Sequence, residues 1–202
     1  MTVAPAPSNK GKRFPAIPLE REEVIRLLDG CSGGWTGTRN RAMIALIWRS
    51  GLRVEEALDL MPADLNMGDG TAMVRHGKGN RARLVVFDRI ASVELQSWMA
   101  AREEEGFNLK DHALFCNTRG QRLEASYPRH MLKRIAGRVG IVKRVHPHQL
   151  RHTHAFELAR EGIELVCIAD QLGHASVATT DTYIRHLSPQ KRIQCLRNRR
   201  PA

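Results

Sequence analysis

Between two stretches patterned for helix, residues 70–87 read GTAMVRHGKGNRARLVVF. Two β-prone segments, Thr71 to Val74 and Leu84 to Phe87, flank a glycine-rich polar turn, which is a hairpin signal. Upstream, PLEREEVIRLLDG predicts a helix: Pro18 and three early glutamates suit an N-terminus, Val24, Leu27 and Leu28 share one face, and Gly30 can end it. TRNRAMIALIWRSG predicts a more buried helix stopping at Gly51, and RVEEALDL a short one. Downstream, a helix is expected from about Ile90 to Glu104, then an ALFCN segment of open type, then helix from Tyr127 onward. The expected fold is mainly α with a small antiparallel β-hairpin or sheet (α+β).

A chain of 202 residues can bury a real core and is expected to form one domain, preceded by a polar, Pro- and Ala-rich tail over residues 1–17. The 32 Lys and Arg against 21 Asp and Glu leave a net charge of +11, which points to a polyanionic partner. An anionic membrane face is the weaker choice, because no run approaches the roughly eighteen apolar residues that span a bilayer and the N-terminus has no apolar signal-peptide core. Cys31, Cys116, Cys167 and Cys195 show no CxxC pair and no regular framework, so reduced core thiols in a cytoplasm are expected. The basic charge is concentrated. From Arg129 to Arg151 the chain carries seven Lys or Arg and no acid, and after Asp181 it carries six more with none.

Four stretches hold side chains suited to chemistry. In SGLRVEEAL, Arg53 follows a glycine with Glu56 one turn on: either a surface ion pair, or a guanidinium oriented by a carboxylate for bidentate contact with a phosphoryl group. In HGKGNRAR, Lys78 stands between two glycines at the expected hairpin tip, either solvated or projected into a DNA groove to protonate a leaving oxygen, with Arg81 and Arg83 placed to hold the DNA backbone. In HPHQLRHTHAFELAREG, a helix starting near His148 puts His148 and Arg151 on one face. Its i, i+4 pair His148 and His152 lacks the acid of HExxH and an evident third ligand, so a zinc site is weaker than a phosphate site at a helix N-terminus. In QLGHASVATTDTYIRH, one of the chain's two tyrosines, Tyr183, lies nine residues after His174, which directly follows a glycine. By itself, that tyrosine reads first as a packed aromatic, with a nucleophile as the alternative.

The order Arg53, Lys78 in a β-turn, His148-x-x-Arg151, Gly173-His174, Tyr183 resembles the catalytic domain of the tyrosine recombinases, the lambda-integrase family. GLRVEEAL is similar to the family's first-arginine box, GKGNRAR to its lysine hairpin, HPHQLRHTHA to its H-x-L-R-H box and LGHASVATTDTYI to its last box. The intervals of twenty-three residues from Arg151 to His174 and nine from His174 to Tyr183 agree with it, and the similarity spans Leu19 to Leu187. His154 departs from it, standing where many members have Phe. Members usually carry a helical DNA-clamping domain before the catalytic one, where this sequence has the short tail. Its layout resembles either single-domain members such as the fimbrial phase-variation recombinases or, equally, a fragment of a longer member.

The resemblance implies a catalytic domain over residues 18–187 and a basic segment, 188–202, exchanged between protomers. It further implies cleavage and rejoining of double-stranded DNA with Tyr183 as nucleophile. Arg53, Arg151 and His174 would donate to the phosphate, His148 would assist the tyrosine proton or brace the phosphate, and Lys78 would act as acid. No cofactor and no catalytic metal are expected, since two arginines supply the charge a metal supplies in many nucleases. Expected partners are DNA, three further copies in a synaptic homo-tetramer, and an accessory DNA-bending protein or second recombinase, with no membrane. A type IB topoisomerase and a catalytically silent DNA-binding regulator stand as alternatives.

Overall fold

The computed structural model describes residues 18–75, 82–107 and 112–174. Helix α1 (Arg21–Asp29) begins where Glu23 reaches back to the Glu20 N–H at 2.8 Å, satisfying a donor the first turn leaves open. It buries Val24, Leu27 and Leu28, the face read from the sequence, and ends at Gly30. Helix α2 (Gly34–Ser50) is buried on several sides, Arg39 and Asn40 included, because it is the central element, packed by α4 and α6. It stops at Gly51, whose left-handed φ of 67° turns the chain toward the short α3 (Val54–Asp59).

The sheet has three antiparallel strands in the order β1 (Leu65–Asn66), β2 (Thr71–Val74), β3 (Arg83–Val86). The expected hairpin is β2 and β3, with Thr71 opposite Val86 and Val74 opposite Arg83. The ladder therefore begins one residue earlier on β3 than the apolar run suggested. Two-residue β1 carries too little pattern to be read from sequence. Ala72, Val74 and Val85 face the core, while Met73, Leu84 and Val86 stand on the outer face.

Asp88 caps α4 (Arg89–Glu104) by accepting from the Ile90 and Ala91 N–H groups. The ALFCN segment is neither helix nor full strand: Cys116 forms an isolated bridge with Arg122. Then follow α5 (Ser126–Arg138), α6 (Pro147–Glu161) and α7 (Leu165–Leu172). Tyr127, the other tyrosine, is scaffold: its ring lies against the Arg39 guanidinium and its hydroxyl donates to Asn40 Oδ1 at 3.0 Å.

The thiol expectation needs correcting. Cys116 is buried, but Cys31 is half-buried and Cys167 is exposed, because the inner face of α7 is taken by Ile168, Ala169 and Leu172. Cys195 and residues 1–17 lie outside the described residues. Among the described residues no helix is long and apolar enough to cross a membrane.

Candidate active site

Arg53 occupies the N-cap of α3, held there by the αL turn at Gly51. Its backbone N–H donates to Glu56 Oε2 at 2.8 Å and its Nη1 to Glu56 Oε1 at 2.7 Å, while Nη2 reaches the Gly173 carbonyl at 3.2 Å. The pair is not a solvated surface bridge: the Glu56 side chain is only 4% exposed, so the carboxylate holds the guanidinium in a fixed orientation.

Glu56 also receives a second guanidinium. Arg83, on β3, donates Nη1 and Nη2 to its two carboxylate oxygens at 2.9 and 2.8 Å. Burial pushes the Glu56 carboxyl up, but the Arg83 hydrogen bonds, the Arg53 N–H and the two positive charges outweigh it and hold it down at about 2. Arg83, expected on the DNA backbone, is thus placed differently: its side chain is 14% exposed and paired bidentately behind Arg53.

His146 forms the N-cap of α6 and Pro147 its first turn, so the helix starts within a residue of the expected position. One turn on, the buried Arg151 donates Nη1 to the Gly51 carbonyl and Nη2 to the Leu172 carbonyl, each at 2.6 Å. These acceptors lie two residues before Arg53 and two before His174, so a single guanidinium ties together the chain segments that deliver both.

Helix α7 ends at Gly173 with φ 63°, and the His174 N–H donates back to the Ala169 carbonyl at 2.9 Å, a Schellman closure that sets the direction in which His174 leaves. A Cβ on Gly173 would come within 2.7 Å of Arg83 Cζ. Glycine is required there twice, for the left-handed turn and for the guanidinium lying against it.

The imidazoles register the field of this cluster. Burial lowers His174, and Arg151, Arg53 and Arg83 lower it further, to about 4. Burial, then Arg151, His146 and Arg53, lower His148. His152, edge-on to His148 with ring centroids 4.2 Å apart, falls to about 3 through burial and then through His148 and Arg151. Arg53 and Arg83 share the Glu56 carboxylate while Arg151 is held by backbone carbonyls, so the cluster keeps a positive field that favours an anion and adds to burial in disfavouring the protonated histidines. A neutral imidazole still offers one N–H to that anion.

Arg53, His148, Arg151 and His174 are therefore brought together, from α3, α6 and the end of α7. Lys78, Arg81 and Tyr183 lie outside the described residues, as does segment 188–202. Among the described residues no group of three or more His, Cys, Asp or Glu is placed to hold a metal ion. On the solvent face of α5, Arg129, Lys133, Arg134 and Arg138 are exposed, and burial, then Arg144 and Arg129, lower His146.

The sequence reading missed Gln171. Its Nε2 donates to the Ser50 carbonyl at 2.9 Å and to the Val86 carbonyl at 2.7 Å, and its Oε1 accepts from the Val86 N–H at 3.1 Å. Partners 121 and 85 residues away leave no local pattern from which this role can be read.

The phage integrase family matches residues 18–190 of the chain. The tyrosine recombinase XerC of Thermodesulfovibrio yellowstonii is 35% identical over 183 residues, covering 85% of this chain and 60% of the relative. The tyrosine recombinase XerD of Mycobacterium tuberculosis is 35% identical over 188 residues, covering 88% and 58%. The chain thus spans about 60% of the length of the curated relatives it matches. Among solved structures, XerA recombinase superposes with a TM-score of 0.80 at 30% identity, covering 94% of this chain and 68% of that one. XerH recombinase in a post-cleavage complex with palindromic difH substrate gives 0.76 at 27%, covering 94% and 55%. A lambda integrase dimer bound to a COC′ core site shares the fold at 15% identity, with a TM-score of 0.67 over 89% of this chain and 62% of that one. With one family matched from the first described helix to beyond the Gly173 turn and relatives at a third identity, the chain belongs to the phage integrase family.

Proposed function

We propose that this chain is the catalytic part of a site-specific DNA recombinase that cuts and rejoins double-stranded DNA through a 3′-phosphotyrosyl intermediate. The observation that carries this reading is the convergence of Arg53, Arg151, His148 and His174 in one positive field, braced by Glu56 and tied through backbone carbonyls. Relatives named tyrosine recombinases, and the XerH structure bound to difH, support the substrate class.

In this reading Tyr183 attacks the scissile phosphodiester in line, forming the phosphotyrosyl bond as the bond to the 5′-oxygen breaks. The tyrosine proton leaves through His148 and Lys78 protonates the departing 5′-oxygen. Arg53, Arg151 and the neutral His174 donate to the non-bridging oxygens, and because these donors are already anchored they need little reorganisation as charge builds there. The ester bond is exchanged rather than hydrolysed, so no nucleotide cofactor is required. The exposed basic face of α5 extends the positive surface from the site and suits the flanking phosphates. A homo-tetramer on paired sites, aided by a DNA-bending protein or second recombinase in the cytoplasm, completes the proposal.

The test is a nicked substrate carrying the target site, run on a denaturing gel. The chain should give a covalent protein–DNA band, and Tyr183→Phe should bind DNA without giving it. A band from the Phe variant would defeat the assignment.

A further inference from the structure

Resting on that reading, we propose that Arg83 is a positioning residue whose charge occupies Glu56 from behind, so that Arg53 keeps its own positive charge for the phosphate. The starting observation is how one carboxylate is filled. Glu56 Oε1 accepts from Arg53 Nη1 at 2.7 Å and from Arg83 Nη1 at 2.9 Å, while Oε2 accepts from the Arg53 backbone N–H and from Arg83 Nη2, each at 2.8 Å. Four donors take up the two oxygens, and two guanidiniums share one negative charge.

The three side chains are layered. Glu56 is 4% exposed, Arg83 14% and Arg53 29%, so Arg53 is the outermost and the one an anion can meet. Alone with Arg53, Glu56 would form a neutral pair, and an incoming phosphodiester would compete with a carboxylate already 2.7 Å from the guanidinium it needs. With Arg83 in place the trio carries one net positive charge, and its outer member is the one turned to solvent. Arg83 is fixed without help from Arg53. It sits on β3 opposite Val74, its Nε donates to the Gln171 carbonyl at 3.5 Å, and its guanidinium lies so close to Gly173 that a Cβ there would come within 2.7 Å of Cζ. The Glu56 carboxyl, held down at about 2, stays ionised at neutral and mildly acidic pH, so the balance does not depend on pH there.

The experiment measures single-turnover covalent complex formation on the nicked target-site substrate and on the same substrate with a methylphosphonate at the scissile position. There a methyl group replaces one non-bridging oxygen, and the linkage is neutral. A neutral linkage needs less positive charge from the site, so a charge defect shrinks on it, whereas a misplaced nucleophile, a damaged fold or a lost contact to a flanking phosphate slows both substrates alike. We expect Arg83→Gln to lose at least about tenfold in rate on the phosphodiester and no more than about threefold on the methylphosphonate, each against wild type on the same substrate. Adding Glu56→Gln to Arg83→Gln restores the net charge and should raise the phosphodiester rate at least about threefold over Arg83→Gln alone, although it removes the carboxylate that orients Arg53. Equal slowing on both substrates, no slowing on either, or a double variant no faster than Arg83→Gln overturns the proposal. Arg83→Lys carries the test if Arg83→Gln fails to fold. With the charge kept and the two-oxygen fork lost, it should stay within about threefold of wild type on the phosphodiester, and a loss of about tenfold at an unchanged thermal midpoint overturns the proposal. If wild type forms no covalent complex on either substrate, the recombinase reading falls and this proposal with it; a wild type that forms the complex beside variants slowed equally on both substrates sinks this proposal alone.

Discussion

His154→Phe should stabilise the protein, and by more at acidic pH than at neutral pH. His154 lies on α6 with 4% of its surface exposed, against Gly51 and Leu172. Its ring bonds the Trp48 backbone, but Nε2 has no hydrogen-bond partner. A buried polar atom without a partner costs about 1–3 kcal/mol, and losing the Trp48 bond returns about 1 kcal/mol of that, so the gain at pH 7 is small. The pH dependence is larger. Burial first, then Arg49 and Arg151, push the imidazole down from 6.5 to about 3. With the folded pKa below the unfolded one, the unfolded chain takes up a proton the folded chain refuses once the pH drops below about 6.5. Stability is lost from there downward until the folded pKa is reached. Between pH 7 and pH 5 the linkage integral for this one group is about 2 kcal/mol.

Phe has no proton to take up and closely matches the ring, so the variant lacks this acid-side loss. Urea unfolding of both proteins at pH 7 and pH 5 measures it: the stability difference between variant and wild type should grow by about 2 kcal/mol at the lower pH. Subtracting the two proteins cancels the parallel contributions of His152 and His174, whose pKa values are lowered as well. An equal difference at both pH values would refute the reasoning, because it would mean that His154 is protonated equally in the folded and unfolded chains.

Covalent complex formation should proceed unchanged in EDTA, and activity that vanishes with chelator and returns with Mg²⁺ or Zn²⁺ would require His148 and His152 to be reread as ligands. DNA binding should weaken steeply with salt, with a log–log slope of about −0.9 per phosphate neutralised, and a doubly substituted Arg129→Gln, Arg134→Gln protein should shed up to about two from that slope; an unchanged slope removes α5 from the interface. Truncation after Leu187 should abolish multi-subunit synaptic complexes in gel shifts while keeping single-site binding, whereas intact synapsis with weaker, less salt-sensitive binding would make the C-terminal segment a DNA arm instead.

The parts legible in the sequence share a physical property: their partners are close along the chain. Arg53 and Glu56 are three residues apart across a helix start, and an ion pair between them could be read from that spacing. The α1 face, the stop at Gly51 and the β2–β3 pairing are equally local. What escaped is long-range. Arg83 looks like one more basic residue beside a basic turn, and only the fold shows that Glu56, twenty-seven residues back, claims both ends of its guanidinium. The strand β1 escaped for a different reason, having two residues and no period to detect.

Gly173 shows how the two kinds of information combine. From sequence it is a glycine before a histidine, and helix-stop chemistry accounts for it fully through its positive φ. That account permits Asn, which visits the left-handed region at modest cost. The packed structure does not, because any Cβ meets the Arg83 guanidinium at 2.7 Å, and Arg83 cannot retreat without surrendering its bidentate grip on Glu56. Glu56 in turn orients Arg53, and Arg53 reaches back to the Gly173 carbonyl at 3.2 Å. The constraint closes on itself: Gly173 is held to glycine by the same contacts that aim Arg53, so one residue serves both as the stop of α7 and as a wall of the guanidinium cluster.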